Sequence, residues 1–156
     1  MTSAIPTIER YMKPSPHTIG CDQPLAVAHQ MMAQHGIRHL PVLGAGCLLG
    51  VLSERDLRLV ESLPGVDPAT LRVEDAMSQD PFRVTPDVPL ATVVSEMARH
   101  RYGCTVVVRY GRVVGIFTTT DALEALWSMV HKNRDHHPEL HEASLNGPAD
   151  ARVVGR

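Results

Sequence analysis

Apolar positions along the chain repeat one order of spacings twice. Leu25, Ala28 and Met32 recur at helical intervals, as do Leu90, Val93, Val94 and Met97. Pro24 and Pro89 precede these runs and suit a first helical turn, while His35 and His100 close them. Two short apolar segments joined by a glycine-containing turn follow in each case, residues 40–43 with 47–52 and residues 105–108 with 113–117, which predicts paired strands. A second helix is predicted to start near Glu54 in one half and near Thr119 in the other. Ahead of each first helix lie a short helical turn (residues 7–12 and 73–77) and an extended piece after a proline (residues 17–19 and 82–84). The predicted order is therefore strand, helix, strand, strand, helix, written twice.

Shifting the sequence by 65 positions aligns residues 8–57 with 73–122 without a gap and leaves 14 identical pairs in 50. Among them are Met12/Met77, Pro24/Pro89, His35/His100, Gly50/Gly115 and Asp56/Asp121. A duplicated α/β (α+β) fold with pseudo-twofold symmetry is expected, because a half of this size leaves apolar surface that a second copy would cover. The expected organisation is an N-terminal tail at 1–6, a first motif at 7–63, a linker rich in Pro, Gly and Asp at 64–70 and a second motif at 71–131. A flexible His-containing C-terminal tail at 132–156 completes it.

Composition narrows the partners. The 156 residues carry 44% hydrophobic and 21% charged side chains, close to globular averages, and a net charge of −2 gives no pull toward nucleic acid or an anionic membrane. Cys21, Cys47 and Cys104 form no CxxC pair, which fits idle thiols in a reducing cytoplasm. The longest apolar stretch, residues 40–52, is interrupted by Pro41, Gly44, Gly46 and Gly50 and falls short of the roughly 20 residues of a membrane helix. Glu9, Arg10 and Lys13 stand where a signal peptide would be apolar.

The candidate chemistry lies at matched places. Gly50-Val-Leu-Ser53-Glu-Arg55-Asp56 and Gly115-Ile-Phe-Thr118-Thr-Thr120-Asp121 each straddle a strand end and a helix start. Ser or Thr followed three residues later by an acid makes a capping box. The same residues could instead form an anion site, with free amides, a hydroxyl and Arg55 for phosphate and the carboxylate for both hydroxyls of a ribose. Spacing alone leaves both readings open.

The run Gly36-Ile-Arg-His-Leu-Pro-Val42, followed by Gly46 and by Gly50 through Leu57, resembles the CBS domain, the motif named for cystathionine beta-synthase. Met77, Pro81, Asp87, Pro89-Leu-Ala91, Gly111, Gly115 and Thr118-Thr-Thr-Asp121 look like a second copy, so that the resemblance covers about residues 5–131. It implies a disc-like tandem pair whose clefts take an adenosyl ligand such as AMP, ADP, ATP, NAD or S-adenosylmethionine, and it implies a homodimer. By the same resemblance Asp56 and Asp121 hold ribose, while Ser53 and Thr118 lie by ribose or phosphate. Thr18, Ile19, Arg38, His39 and Leu40 line adenine and phosphate in one half, and Arg83, Val84, Gly103, Cys104 and Thr105 do so in the other. Tyr102-Gly-Cys-Thr-Val replaces Ile37-Arg-His-Leu-Pro in the second half, losing a basic pair, so unequal sites are expected.

Enzyme readings find little support. There is no G-x-S-x-G elbow, HExxH or P-loop. His35 and His100 suit the negative ends of helix dipoles and are read as structural. The histidines at 131, 136, 137 and 141 read as a solvated tail rather than a metal site, and Trp127 with Leu123, Leu126 and Val130 as packing at a helix or dimer interface. The expected function is a non-catalytic regulatory sensor that binds an adenine nucleotide, requires no cofactor and signals to a regulated protein that the residues do not name. The alternative is a structural dimerisation module whose sites are empty or weak.

Overall fold

Each half follows the predicted order, preceded by one short strand that the spacing did not reveal. The computed structural model describes residues 6–134. After a 3-10 turn at Ile8–Arg10 come β1 (Lys13–Pro14), β2 (Ile19–Gly20), α1 (Leu25–His35), β3 (His39–Gly44), β4 (Cys47–Ser53) and α2 (Glu54–Glu61). The second half has α3 (Val73–Ala76), β5 (Ser78–Gln79), β6 (Arg83–Val84), α4 (Leu90–His100), β7 (Cys104–Arg109), β8 (Arg112–Thr118) and α5 (Thr119–Arg134). The first compact unit ends at Ala122 and the second begins at Leu123. Residues 132–134 of the expected tail instead continue α5, and the rest of that tail lies outside the described residues.

Local chemistry fixes the boundaries. Pro24 and Pro89 act as N-caps rather than first-turn residues: both are extended, with ψ of 145° and 134°, and the helix begins one residue later. The hairpin turns place Ala45 and Gly46 at φ 50° and 77°, and Tyr110 and Gly111 at 51° and 74°. Two positive φ values in succession match the right-handed twist of the flanking strands, and glycine takes the second at no steric cost.

The sheets exchange their edges. One runs β2-β3-β4-β5 and the other β1-β8-β7-β6, so each four-stranded sheet ends in a strand contributed by the opposite half. Three backbone hydrogen bonds secure each exchange and repeat at the 65-residue offset. Ile8 N donates to Val88 O, Glu9 N to Pro86 O and Leu90 N to Pro6 O; their counterparts are Val73 N to Gln23 O, Glu74 N to Cys21 O and Leu25 N to Leu71 O. The core of the first half shows the same crossing. Ile19, Leu25, Ala28, Met32, Leu40, Val42, Leu52 and Leu57 form a buried cluster that Val73, from the second half, completes. Ile8 is correspondingly enclosed, and Leu90, Val93, Met97, Val106, Val107, Ile116 and Phe117 are buried in the second half.

Candidate functional site

Both candidate motifs are helix caps, and the caps use one carboxylate oxygen each. Ser53 is the N-cap of α2: its Oγ accepts from Asp56 N at 3.1 Å, while Asp56 Oδ2 accepts from Ser53 N at 3.2 Å and from Ser53 Oγ at 2.6 Å. At α5, Thr118 Oγ1 accepts from Asp121 N at 3.3 Å, and Asp121 Oδ2 accepts from Thr118 N at 2.7 Å and Thr118 Oγ1 at 2.8 Å. A capping box satisfies amides that the first helical turn leaves without partners, which is why this spacing recurs at both helix starts. It leaves Oδ1 of each aspartate for something else.

The two remaining oxygens differ. Asp56 is half-buried, and among the described residues Oδ1 has no hydrogen-bond or ion-pair partner. Asp121 is 3% exposed, and its Oδ1 lies 3.1 Å from Lys13 Nζ. Lys13 reaches it because β1 pairs antiparallel with β8, with Lys13 opposite Ile116, two residues before the cap. The residue matched to Lys13 in the other half is Ser78, on the edge strand beside β4.

Basic residues gather where β3 begins. His39 pairs in register with Ser53, and Glu54 N donates to the Arg38 carbonyl at 2.8 Å, which carries this strand end to the start of α2. Arg38 Nη2 donates to Thr120 Oγ1 at 3.2 Å, across from one half to the other. The His39 ring takes the room that glycine leaves at 103: a Cβ on Gly103 would lie 2.9 Å from His39 Nε2. Burial and then the Arg38 charge hold the His39 pKa below its ordinary 6.5; Arg55 adds to this, while Asp56 and Glu54 oppose it.

That shift has a defined sign. A histidine whose folded pKa is depressed binds its proton later in the folded state than in the unfolded one, so its contribution is fully present above about pH 6.5. Stability is lost as pH falls below that value toward the lower folded pKa. Urea midpoints measured from pH 8 to pH 5 are expected to fall less in His39→Gln than in the parent. Parallel curves would show that His39 does not carry this dependence.

The other positions expected at the site divide by exposure. Arg55, Thr120, Arg83 and Gly103 are exposed, and Thr18, Val84, Ser53 and Thr118 are partly so. Ile19, Leu40, Cys104 and Thr105 are buried, Leu40 and Thr105 completely, so their side chains are not presented to a ligand. Burial pushes the Cys104 thiol up to about 12, which keeps it protonated and inert at neutral pH. Among the described residues, no hydrogen bond or ion pair joins Thr18 or Arg83 to the cluster around Arg38 and His39. The matched histidines have ordinary structural partners. His35 stacks on His17 with ring centroids 3.7 Å apart, and His100 Nε2 lies 3.3 Å from Glu96 Oε2. Lys13 is the residue that sequence reasoning missed; the signal was its mismatch with Ser78 inside an otherwise aligned stretch.

This pair of capped helices, each set at the end of a hairpin, is a recurrent architecture. The CBS domain family model matches residues 8–62 and again 73–128, and the chain belongs to that family. It is 30% identical over 104 residues to the CBS domain-containing protein YhcV of Bacillus subtilis, covering 67% of this chain and 74% of that protein. It is 28% identical over 122 residues to an inosine-5'-monophosphate dehydrogenase of Korarchaeum cryptofilum, and there 78% of this chain spans only 24% of the relative. Among solved structures, AcuB from Vibrio cholerae superposes with a TM-score of 0.75 at 27% identity, covering 84% of this chain and 97% of that one. The CBS domain pair of MJ0100, in complex with 5-methylthioadenosine and S-adenosyl-L-methionine, gives 0.71 at 22% identity over 80% of this chain and 98% of that one. CBSX2 in complex with AMP gives 0.71 at 22% over 79% and 97%. The last two likenesses bear on fold alone.

Proposed function

We propose that the chain is a non-catalytic regulatory module that binds an adenosyl ligand, with the ribose held by a cap aspartate. The observation that carries this reading is Asp56, a half-exposed carboxylate fixed by its own helix cap through one oxygen, with the other turned to no described partner. Two vicinal hydroxyls are donors that such an oxygen accepts, and His39, Arg38 and Arg55 supply positive or polar groups for phosphate or a charged tail. The adenosyl compounds named with MJ0100 and CBSX2 support the ligand class without choosing within it. AMP, ADP, ATP, NAD and S-adenosylmethionine all remain in that class. The ligand is a regulatory signal passed to a separate protein, and no resident cofactor takes part.

The proposed assembly is a cytoplasmic homodimer. In the first unit Leu59 and Leu63 are 63% and 51% exposed, and in the second Leu123, Leu126, Trp127 and Val130 form an exposed stripe at helical spacing on α5. Apolar surface of this kind supports self-association. Among the described residues no helix is long and apolar enough to cross a membrane. A second reading, a dimerisation module with a weak or closed site, is favoured at one of the two caps by the engagement of Asp121 with Lys13.

Calorimetric titration with AMP, ATP, NAD and S-adenosylmethionine tests the proposal. Asp56→Ala is expected to weaken the tightest of these by about tenfold to a hundredfold, the range set by hydrogen bonds to a charged group. Asp121→Ala should do less. A double variant that bound every compound as tightly as the parent would reduce both aspartates to helix caps and end the reading.

A further inference from the structure

The Lys13–Asp121 ion pair is the point at which the two halves stop being copies. We propose that Lys13 is a latch on the second ribose site, so that the chain takes one adenosyl ligand at Asp56 and excludes a second at Asp121. This rests on the reading that a cap aspartate holds the ribose. Three observations converge. Asp121 is 3% exposed and both of its oxygens are engaged, Oδ2 by Thr118 and Oδ1 by Lys13 at 3.1 Å. Asp56, its counterpart, is more exposed and has its Oδ1 unpartnered among the described residues. The matched residue in the first half, Ser78, carries no charge with which to close that site in the same way.

The exchanged edge strands make the latch possible. β1 belongs in sequence to the first half but pairs with β8 of the second, which brings an ammonium from the start of the chain to the cap of α5. The lysine also has a reason to stay. A carboxylate this enclosed needs a compensating charge, and the two Thr118 bonds supply only neutral donors. A ribose approaching Asp121 must displace a cation and offer two neutral hydroxyls in its place, whereas at Asp56 Oδ1 it displaces no partner among the described residues. The difference sets occupancy rather than the identity of the ligand.

Titrations of AMP, ATP, adenosine and S-adenosylmethionine into the parent, Lys13→Ser, Lys13→Arg, Asp56→Ala and Lys13→Ser/Asp121→Ala decide it, with thermal melts to check that each variant is folded. Lys13 is 62% exposed at its side chain, so Lys13→Ser should fold, and Lys13→Arg, which keeps a cation, should match the parent. The expected result is one site per parent chain, weakened about tenfold to a hundredfold in Asp56→Ala. Lys13→Ser should show two sites, the second tighter by about tenfold or more than any second site in the parent, and returned to one by adding Asp121→Ala. One site in both the parent and Lys13→Ser, weakened by Asp56→Ala, overturns the latch and leaves the binding reading standing. No binding by the parent, with one site gained in Lys13→Ser and lost again with Asp121→Ala, keeps the latch and overturns the assignment to Asp56. Absence of binding in both overturns both. Weaker binding of AMP and ATP but not of adenosine in Lys13→Ser would make Lys13 a phosphate ligand and overturn the latch.

Discussion

Gly50→Ala is expected to cost about 3 kcal/mol of stability, while the matched Gly115→Ala costs about 1 kcal/mol. A methyl at Gly50 would lie 2.6 Å from the Ser78 carbonyl oxygen and 2.7 Å from Met77 Sδ. Ser78 is on β5, hydrogen-bonded to β4 at this place, so the obstacle is backbone and the whole edge strand must shift. At Gly115 the added methyl meets Met12 Sδ, Cγ and Cε, all atoms of one flexible side chain that can swing aside. Guanidinium midpoints for the two variants, measured with the parent, give the comparison. A larger loss in Gly115→Ala would mean that β5 is not held against β4 as tightly as β1 against β8.

The second large effect is expected at Leu57, where the cap meets the core. Leu57 is 1% exposed and sits with Leu25, Leu40, Leu52 and Val73, immediately after Asp56 on a helix of 8 residues. Leu57→Ala removes contacts that so short a helix cannot replace by its own propensity, and a loss of about 2–5 kcal/mol is expected. Ligand binding should weaken with it, because the carboxylate depends on the cap and the cap on the seated helix. Leu57→Met, which nearly conserves volume, should stay within about 1.5 kcal/mol of the parent. Equal losses in the two variants would show that packing at this point does not anchor α2.

The strong periodic elements could be read from sequence because their cause is local. α1 and α4 have apolar residues at helical spacing and a proline at the cap, and the two hairpins have glycine where φ turns positive. The Ser53/Asp56 and Thr118/Asp121 spacings were equally visible, since a capping box spans only four residues. β1 and β5 were not: each has two exposed residues, too few to show alternation, and each finds its partner in the other half of the chain. Lys13 was missed for the same reason, because its relation to Asp121 exists only once that strand has crossed. Spacing also could not separate the exposed Arg38 from the enclosed Leu40 two positions on, or reveal that Thr105 would have its hydroxyl sealed in the core without a partner among the described residues.

The exchanged edges also bear on how the chain is made. During synthesis the first sheet has no fourth strand until Ser78 and Gln79 have left the ribosome, and β1 waits for β8 of the second half. Pairings so distant in sequence carry a loop-closure cost before they return any contact, which slows folding. The nascent first half therefore presents the open edge of β4 to its surroundings until β5 follows. Lys13 and Pro14, a charge and a residue without an amide hydrogen, are the side chains that discourage a wrong partner from pairing with β1 while it waits for β8.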